Sequence, residues 1–361
     1  MYVLKCLLVE PNYTSAYPNI ALMKFSTKLK AEGKNVEYFK GKKPRSLDRV
    51  YDEIYITSLF TYYAEITVDT INYYKRSYPE AKIQVGGVLA SMMPEYIEEQ
   101  TGIRPHVGYL KELETLRPDY DLINKGTKWD EYSYVFTSRG CVNSCSFCAV
   151  PKVEPENWIN PDWKNQVDFR RIKVAIQDNN LTSQPIEHFR DVMKFCKKWK
   201  LHVCIESGLD CRLFNLEHLK AIMGVNFLPR GLRFAFDGMY QDGHIQRVLD
   251  MCNGTGGIGK ARLMVYVLYN YDDTPLEAEY RMREVIKHNG RPYPQRYTPL
   301  DKLEKTPIYV GKYWTEALTN EFRQFYHLPK WFTMRTFPEW LEITGKSELL
   351  EDYYRYPWRK P

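Results

Sequence analysis

Three cysteines, Cys141, Cys145 and Cys148, stand in the stretch Thr137-Ser138-Arg139-Gly140-Cys141-Val142-Asn143-Ser144-Cys145-Ser146-Phe147-Cys148 with the spacing C-x3-C-x2-C. They follow a short apolar run, Tyr134 to Phe136, so the pattern predicts a strand running into a ligand loop. Thiolates are the natural ligands of iron–sulfur clusters, and short spacings let one loop wrap one face of a metal centre. A cubane cluster has four irons, so three local cysteines leave one iron open, where a small molecule can bind and react. Four-cysteine electron-transfer clusters and closed zinc sites have no such open position. The competing reading is three cysteines that pack or hold zinc.

With Phe147 just before its third cysteine, the stretch resembles the cluster-binding loop of radical S-adenosylmethionine enzymes. The resemblance covers roughly residues 130 to 300. It implies a 4Fe-4S cluster on Cys141, Cys145 and Cys148, with the open iron binding the amino and carboxylate groups of S-adenosylmethionine. It also implies reductive cleavage of the sulfonium to a 5′-deoxyadenosyl radical.

The elements that must position such a loop read as alternating strands and helices. Residues 3–9, 36–39, 54–57 and 83–85 are strand patterns, the last stopped by Gly86-Gly87. Pro18 opens a helix with Ile20, Leu22, Met23, Phe25 and Leu29 as its buried stripe, and Gly33 ends it. Further helices run through Ile66, Thr70 and Tyr74 and from Pro94 to Gln100. The alternation predicts a parallel, Rossmann-like sheet over residues 1–125. This part is similar to the cobalamin-binding domain that precedes the barrel in one branch of the superfamily, through Val9-Glu10-Pro11-Asn12, Ser58-Leu59 and Gly86-Gly87. The Asp-x-His-x-x-Gly motif that supplies a cobalt-ligating histidine is missing, and the loop from Glu10 to Pro18 has no His. The competing reading is a Rossmann-like domain that holds no corrin. His106 reads as a surface or packing residue.

Tyr109 to Trp129, rich in Lys, Glu and Asp, reads as an exposed crossing with a domain boundary near 125. Beyond it, residues 174–177, 202–206, 232–236, 261–269 and 295–297 read as strands. Helices on Ile186, Phe189, Met193, Cys196 and Trp199, on Leu216, Leu219 and Ile222, on Ile245, Val248 and Leu249, and from Pro275 to His288 alternate with them. With the strand before the cysteines this predicts a partial (β/α)6 barrel over 126–310, with its chemistry at the carboxyl ends of the strands. The polar clusters Asp178-Asn179-Asn180, Glu206 to Arg212 and Asp237-Gly238 all fall at such ends. By position, the resemblance implies cofactor contacts there. Phe147 packs beside the adenine. Asp178, Asn179 and Asn180 stand where the family often has Gly-Gly-Glu on the methionine ammonium. Glu206 or Asp210 meets that ammonium or the ribose, Arg212 the carboxylate and Asp237 the ribose. A structural ion pair or turn cap competes with each role.

Gly254-Thr255-Gly256-Gly257-Ile258-Gly259 fits G-x-G-x-x-G by letters, but it follows a helix and precedes a strand, the reverse of a dinucleotide fingerprint. Cys196, Cys204, Cys211 and Cys252 form no compact ligand loop and read as packing thiols, with Cys211 placed at a strand end where a hydrogen-atom donor is useful. Residues 311–361 read as a mostly helical extension around Trp314, Leu318, Phe322 and Phe325, with an aromatic, basic end that either packs or stacks on single-stranded nucleic acid.

The whole chain has 361 residues and a net charge of +6, which permits an acidic partner without requiring one. No apolar run approaches a membrane span, the start lacks a secretory layout, and eight cysteines without a leader point to a reducing cytoplasm. The expectation is therefore an α/β radical S-adenosylmethionine enzyme acting on an unspecified substrate. Its sharper form is a cobalamin-dependent methyltransferase, and its implied partner an electron donor such as flavodoxin or ferredoxin. The alternative is a zinc- or cluster-bearing module that binds RNA or protein without catalysis.

Overall fold

A computed structural model describes residues 2–15, 17–45, 50–122, 127–256, 258, 260–303 and 309–358. It divides into two compact units, Met1–Ala175 with Leu300–Lys305, and Ile176–Pro299 with Thr306–Pro361.

In the first unit, β1 (Lys5–Glu10), β2 (Asn35–Lys40), β3 (Glu53–Ser58) and β4 (Lys82–Gly87) form a parallel sheet in the order β2-β1-β3-β4. Side chains alternate across a strand, so a parallel sheet covered on both faces needs apolar residues at every position. β1 meets that need. Leu7 and Val9 join one core cluster with Ile54, Ile56, Ile71 and Tyr74, while Cys6 and Leu8 join another with Leu22, Met23 and Leu29. The helix Ile20–Ala31 is capped by Asn19, whose side chain accepts from Leu22 N–H, rather than opened by Pro18. The helix Ala64–Ser77 buries Thr70 and Tyr74 as expected, but Ile66 is exposed. Gly87 has φ +108°, and a Cβ there would lie 2.2 Å from the Ser58 carbonyl oxygen. Gly87 is thus required by the close approach of the β4 end to the β3 end, whereas a Cβ on Gly86 would meet nothing closer than 3.9 Å.

The segment from Tyr109 is not an exposed crossing. Leu113, Glu114 and Tyr120 are buried, and the Tyr120 hydroxyl donates to the Gln166 carbonyl at 2.8 Å and accepts from Tyr134 N–H at 2.9 Å. Its charged composition misleads because Glu114 and Asp119 turn inward to meet cations, although Glu112 and Asp121 stay exposed. The boundary expected near 125 falls among residues outside the described ones. β5 (Tyr132–Val135) then leads into β6 (Ser138–Arg139), which pairs antiparallel with β7 (Trp158–Ile159), a two-residue ladder with no signal in the sequence pattern. β8 (Lys173–Ile176) neighbours β5.

In the second unit, β9 (His202–Ile205) pairs parallel with the short β10 (Asn226–Phe227), and β11 (Leu232–Ala235), β12 (Leu263–Tyr269) and β13 (Pro292–Arg296) form a parallel sheet. The helices Ile186–Lys198, Leu216–Ile222, His244–Gly254 and Pro275–Lys287 alternate with these strands. In chain order the described strands β5, β8, β9, β10, β11, β12 and β13 are seven, the two-residue β10 being one more than the six expected of a partial (β/α)6 barrel. The helix Pro275–Lys287 starts with a capping box, Thr274 with Glu277. Trp199 and Leu216, read as stripe residues, are exposed, because each sits at a helix end. The Gly-rich stretch follows a helix as expected, although Gly257 and Gly259 lie outside the described residues.

The tail is mostly helical, with Glu316–His327 and Phe337–Ile343 as its longest helices. Its aromatic residues pack: Trp314, Phe322, Phe325, Tyr326, Phe337, Trp340 and Tyr353 are buried, and Tyr269 of β12 meets both Trp314 and Phe322. Even Trp358 rests edge-on against Tyr280, with ring centroids 4.4 Å apart. Arg359 and Lys360 lie outside the described residues. Among the described residues no helix is long and apolar enough to cross a membrane.

Candidate active site

Cys141, Cys145 and Cys148 lie half-buried on one loop, closed at its neck by the β6–β7 ladder, and none of the eight cysteines is in a disulfide. The loop bends tightly, with Cys148 N–H bonded to the Cys145 carbonyl at 3.0 Å. Backbone N–H groups donate to two of the sulfurs, Asn143 to Cys141 Sγ at 3.4 Å and Val150 to Cys148 Sγ at 3.5 Å. Such bonds favour thiolate and tune a metal–sulfur centre. At the neck Gly140 has φ +82°, and a Cβ there would lie 2.2 Å from the Glu156 carbonyl oxygen. Only glycine lets the two limbs approach so closely.

Behind the neck is a set of charges that sequence reading missed. Arg139 donates from Nε and Nη2 to both oxygens of Glu114, at 3.0 and 2.8 Å, and from Nη1 to Glu154 at 2.7 Å. Glu154 accepts Gly140 N–H at 2.8 Å through its other oxygen. Lys24 Nζ lies 3.0 Å from Glu114 Oε2. The Arg139 guanidinium also stacks on Phe136 at 3.3 Å. Burial pushes the Lys24 ammonium down to about 8, against the pull of Glu114. Burial opposes ionisation of Glu114, but Arg139 and Lys24 outweigh it and hold its carboxyl below the usual range.

The three thiols share one loop, and N–H groups point at two of the sulfurs, a donor type that suits iron–sulfur chemistry. Among the described residues no three His, Cys, Asp or Glu side chains gather as ligands of one metal ion. Cysteines that serve separate irons have no need to converge on one point. Phe147 is half-buried on the same loop.

The other expected contacts belong to the second unit, apart from this loop in the chain and described by themselves. Asp178 is fully buried, Asn180 is buried and Asn179 half-buried, at the end of β8. Asp210 N–H donates to Thr182 Oγ1 at 2.9 Å, and that hydroxyl donates to Asn180 Oδ1 at 2.6 Å. Leu209 bridges to Phe234 of β11. The ends of β8, β9 and β11 are thus tied together. Asp210 takes Arg212 in a two-pronged pair, Nε at 2.9 Å and Nη2 at 2.6 Å. Burial pushes the Asp237 carboxyl up to about 6; Arg281 pulls it down, while Asp210 raises it and Arg212 lowers it. Asp210, Arg212 and Asp237 are therefore electrostatic neighbours. Glu206 pairs with Arg233 at 2.5 Å, and Arg233 also reaches Tyr266 at 2.8 Å and Cys204 Sγ at 3.2 Å.

The remaining thiols, Cys196, Cys204, Cys211 and Cys252, are buried, and burial raises all four pKa values, to about 12 for Cys211. Arg281 had no sequence signal. It is fully buried, donating to the carbonyls of Phe236 at 2.9 Å and Leu268 at 2.7 Å and pairing with Asp273, so it ties the ends of β11 and β12 together.

The fold and the loop together define an α/β protein with a leading Rossmann-like sheet, strand–helix repeats carrying a three-cysteine loop, and a helical tail. Among solved structures the chain is similar to the radical S-adenosylmethionine methyltransferase TsrM from Kitasatospora setae with cobalamin and a 4Fe-4S cluster bound, at a TM-score of 0.65 and 14% identity over 82% of this chain and 75% of that one. It is likewise similar to TsrM with tryptophan substrate and the analogue aza-SAM bound, at a TM-score of 0.63 and 14% identity over 81% of this chain and 72% of that one. At this identity the likeness is one of fold. No protein-family model matches the sequence, and no curated protein matches it.

Proposed function

We propose that the chain is a radical S-adenosylmethionine enzyme, with cobalamin-dependent methyl transfer as its reaction class. The observation that carries the reading is the closed loop of Cys141, Cys145 and Cys148, with N–H groups already donating to two sulfurs, on a fold shared with TsrM. When bound, the cluster would supply the electron that splits the sulfonium, and a corrin would carry a methyl group.

The chain's own residues hold and orient. Cys141, Cys145 and Cys148 would hold the cluster through three of its irons, and Phe147 would pack beside the adenine. Asp178, Asn179 and Asn180 would accept from the methionine ammonium, Glu206 or Asp210 would meet that ammonium or the ribose, Arg212 would pair with the carboxylate and Asp237 would contact the ribose. Asp178, Asn180 and Asp210 are buried at these strand ends, which favours keeping out water that would quench a radical. In the leading sheet, the order β2-β1-β3-β4 puts the switch point between β1 and β3, where ligands of open sheets bind. Tyr13 and Tyr63 stack there at 5.4 Å. The loop from Glu10 to Pro18 carries no His, and His106, beyond β4, is exposed. The domain division at 125 and 310, an electron donor of flavodoxin or ferredoxin type and a cytoplasmic location belong to the same reading.

The test is anaerobic reconstitution with iron and sulfide, addition of hydroxocobalamin, and reduction with S-adenosylmethionine. A brown protein that keeps a corrin spectrum through gel filtration and releases 5′-deoxyadenosine or S-adenosylhomocysteine is expected. A colourless protein holding stoichiometric zinc would sink the reading in favour of a binding module.

A further inference from the structure

The neck of the cysteine loop is held by side chains from four distant places in the chain. Glu154, after the last cysteine, bonds back to Gly140 N–H, immediately before the first, so one carboxylate closes the loop upon itself. The same carboxylate takes Arg139, Arg139 takes Glu114, and Glu114 takes Lys24. Lys24 comes from the helix Ile20–Ala31, which packs on the leading sheet and has no other tie to the cysteines in sequence. Exposed ion pairs contribute little, but a buried charge deprived of its partner is strongly destabilising. These four groups are buried or nearly so, with side chains between 1% and 12% exposed, and therefore hold only as a complete set. The set balances, two cations against two anions.

Resting on the reading above, we propose that Lys24, Glu114, Arg139 and Glu154 are positioning residues that clamp the cysteine loop, and that through Lys24 the leading sheet sets how firmly the loop retains its cluster. None of the four ligates iron. Their effect is on the position of the loop's first cysteine and on the closure of its neck, as outer-shell partners act on ligands elsewhere.

The test uses full-length Glu154→Gln and Lys24→Met beside the unaltered chain. Glutamine sets an amide N–H₂ against either Gly140 N–H or the Arg139 guanidinium, donor facing donor; methionine keeps the length of Lys24 and removes its charge. After reconstitution, both variants should lose iron to a chelator roughly 10-fold faster or more, and show a displaced electron paramagnetic resonance signal when reduced, with unchanged circular dichroism. Release at the unaltered rate and an undisplaced signal in both overturn the clamp. Should one variant fail to fold, the other decides alone; should both fail, Glu154→Asp and Lys24→Arg are read the same way. If the unaltered chain takes up no cluster, the proposed function and the clamp fall together, whereas a loaded chain with indifferent variants removes the clamp only.

Discussion

Gly140→Ala is the sharpest single perturbation of the loop, and its effect can be worked from the backbone. At φ +82° an alanine occupies the left-handed region, which costs about 1–2 kcal/mol for an L-residue. Its Cβ would also meet backbone, 2.2 Å from the Glu156 oxygen, 2.8 Å from that carbonyl carbon and 2.9 Å from Asn157 Cα. No rotamer relieves a backbone clash, so the limbs must part, at a further cost of about 1–3 kcal/mol typical of overpacking. Gly33→Ala is the matched control, since Gly33 has φ +76° with nothing within 4 Å and lies in the same unit. It carries the left-handed cost alone. The difference of about 1–3 kcal/mol separates the thermal midpoints of the metal-free variants by several degrees, at roughly 2–4 °C per kcal/mol for a unit of this size. Differential scanning fluorimetry of the two metal-free variants, read on the transition of the first unit, makes the comparison. Coincident midpoints would refute the idea that the neck is closed by contact at Gly140.

Two further outcomes concern the second unit. The Asp237 carboxyl is held near 6 when folded against 3.8 as the ordinary value, so the folded state binds its proton more tightly. That contribution is fully present below about pH 4 and is lost as pH rises through about 6, so Asp237→Asn should be more stable than the parent by roughly 2–3 kcal/mol at pH 7, with the gap closing toward pH 4 in urea titrations; a gap independent of pH contradicts the assignment. Arg281→Met leaves Asp273 buried without its partner and two strand-end carbonyls unsatisfied, which should cost about 3–5 kcal/mol. Adding Asp273→Asn should recover part of that loss, and a double variant as unstable as the single one would argue against a charge effect.

Most of the architecture was legible because its signals are local. The six-residue strands of the leading sheet and the 3.6-residue stripe of Phe189, Met193 and Cys196 write their periods in contiguous residues. The three cysteines were legible for the same reason. What escaped was built from residues far apart. Lys24 sits between Met23 and Phe25 as an ordinary helix lysine, and nothing near it announces Glu114, 90 positions on, or the Arg139 that shares it. The acidic stretch around Glu114 looked solvated because composition cannot show which carboxylates turn inward to meet a cation. The two-residue ladder of β6 and β7 is too short to carry a period at all. At the strand ends, Glu206 and Arg212 were read singly as cofactor contacts, and the structure adds that each stands in an ion pair, with Arg233 and Asp210 respectively.

The balance of the neck has an electrical consequence. With Lys24 and Arg139 offset by Glu114 and Glu154, the wall behind the cysteines presents little net field at a distance. Under the proposed function, a cationic sulfonium arriving at the loop would be neither driven off by bare lysine and arginine nor trapped by bare carboxylates. The potential there would then be set by the thiolates and the peptide dipoles around them, and not by the clamp, until Lys24 loses its proton near pH 8.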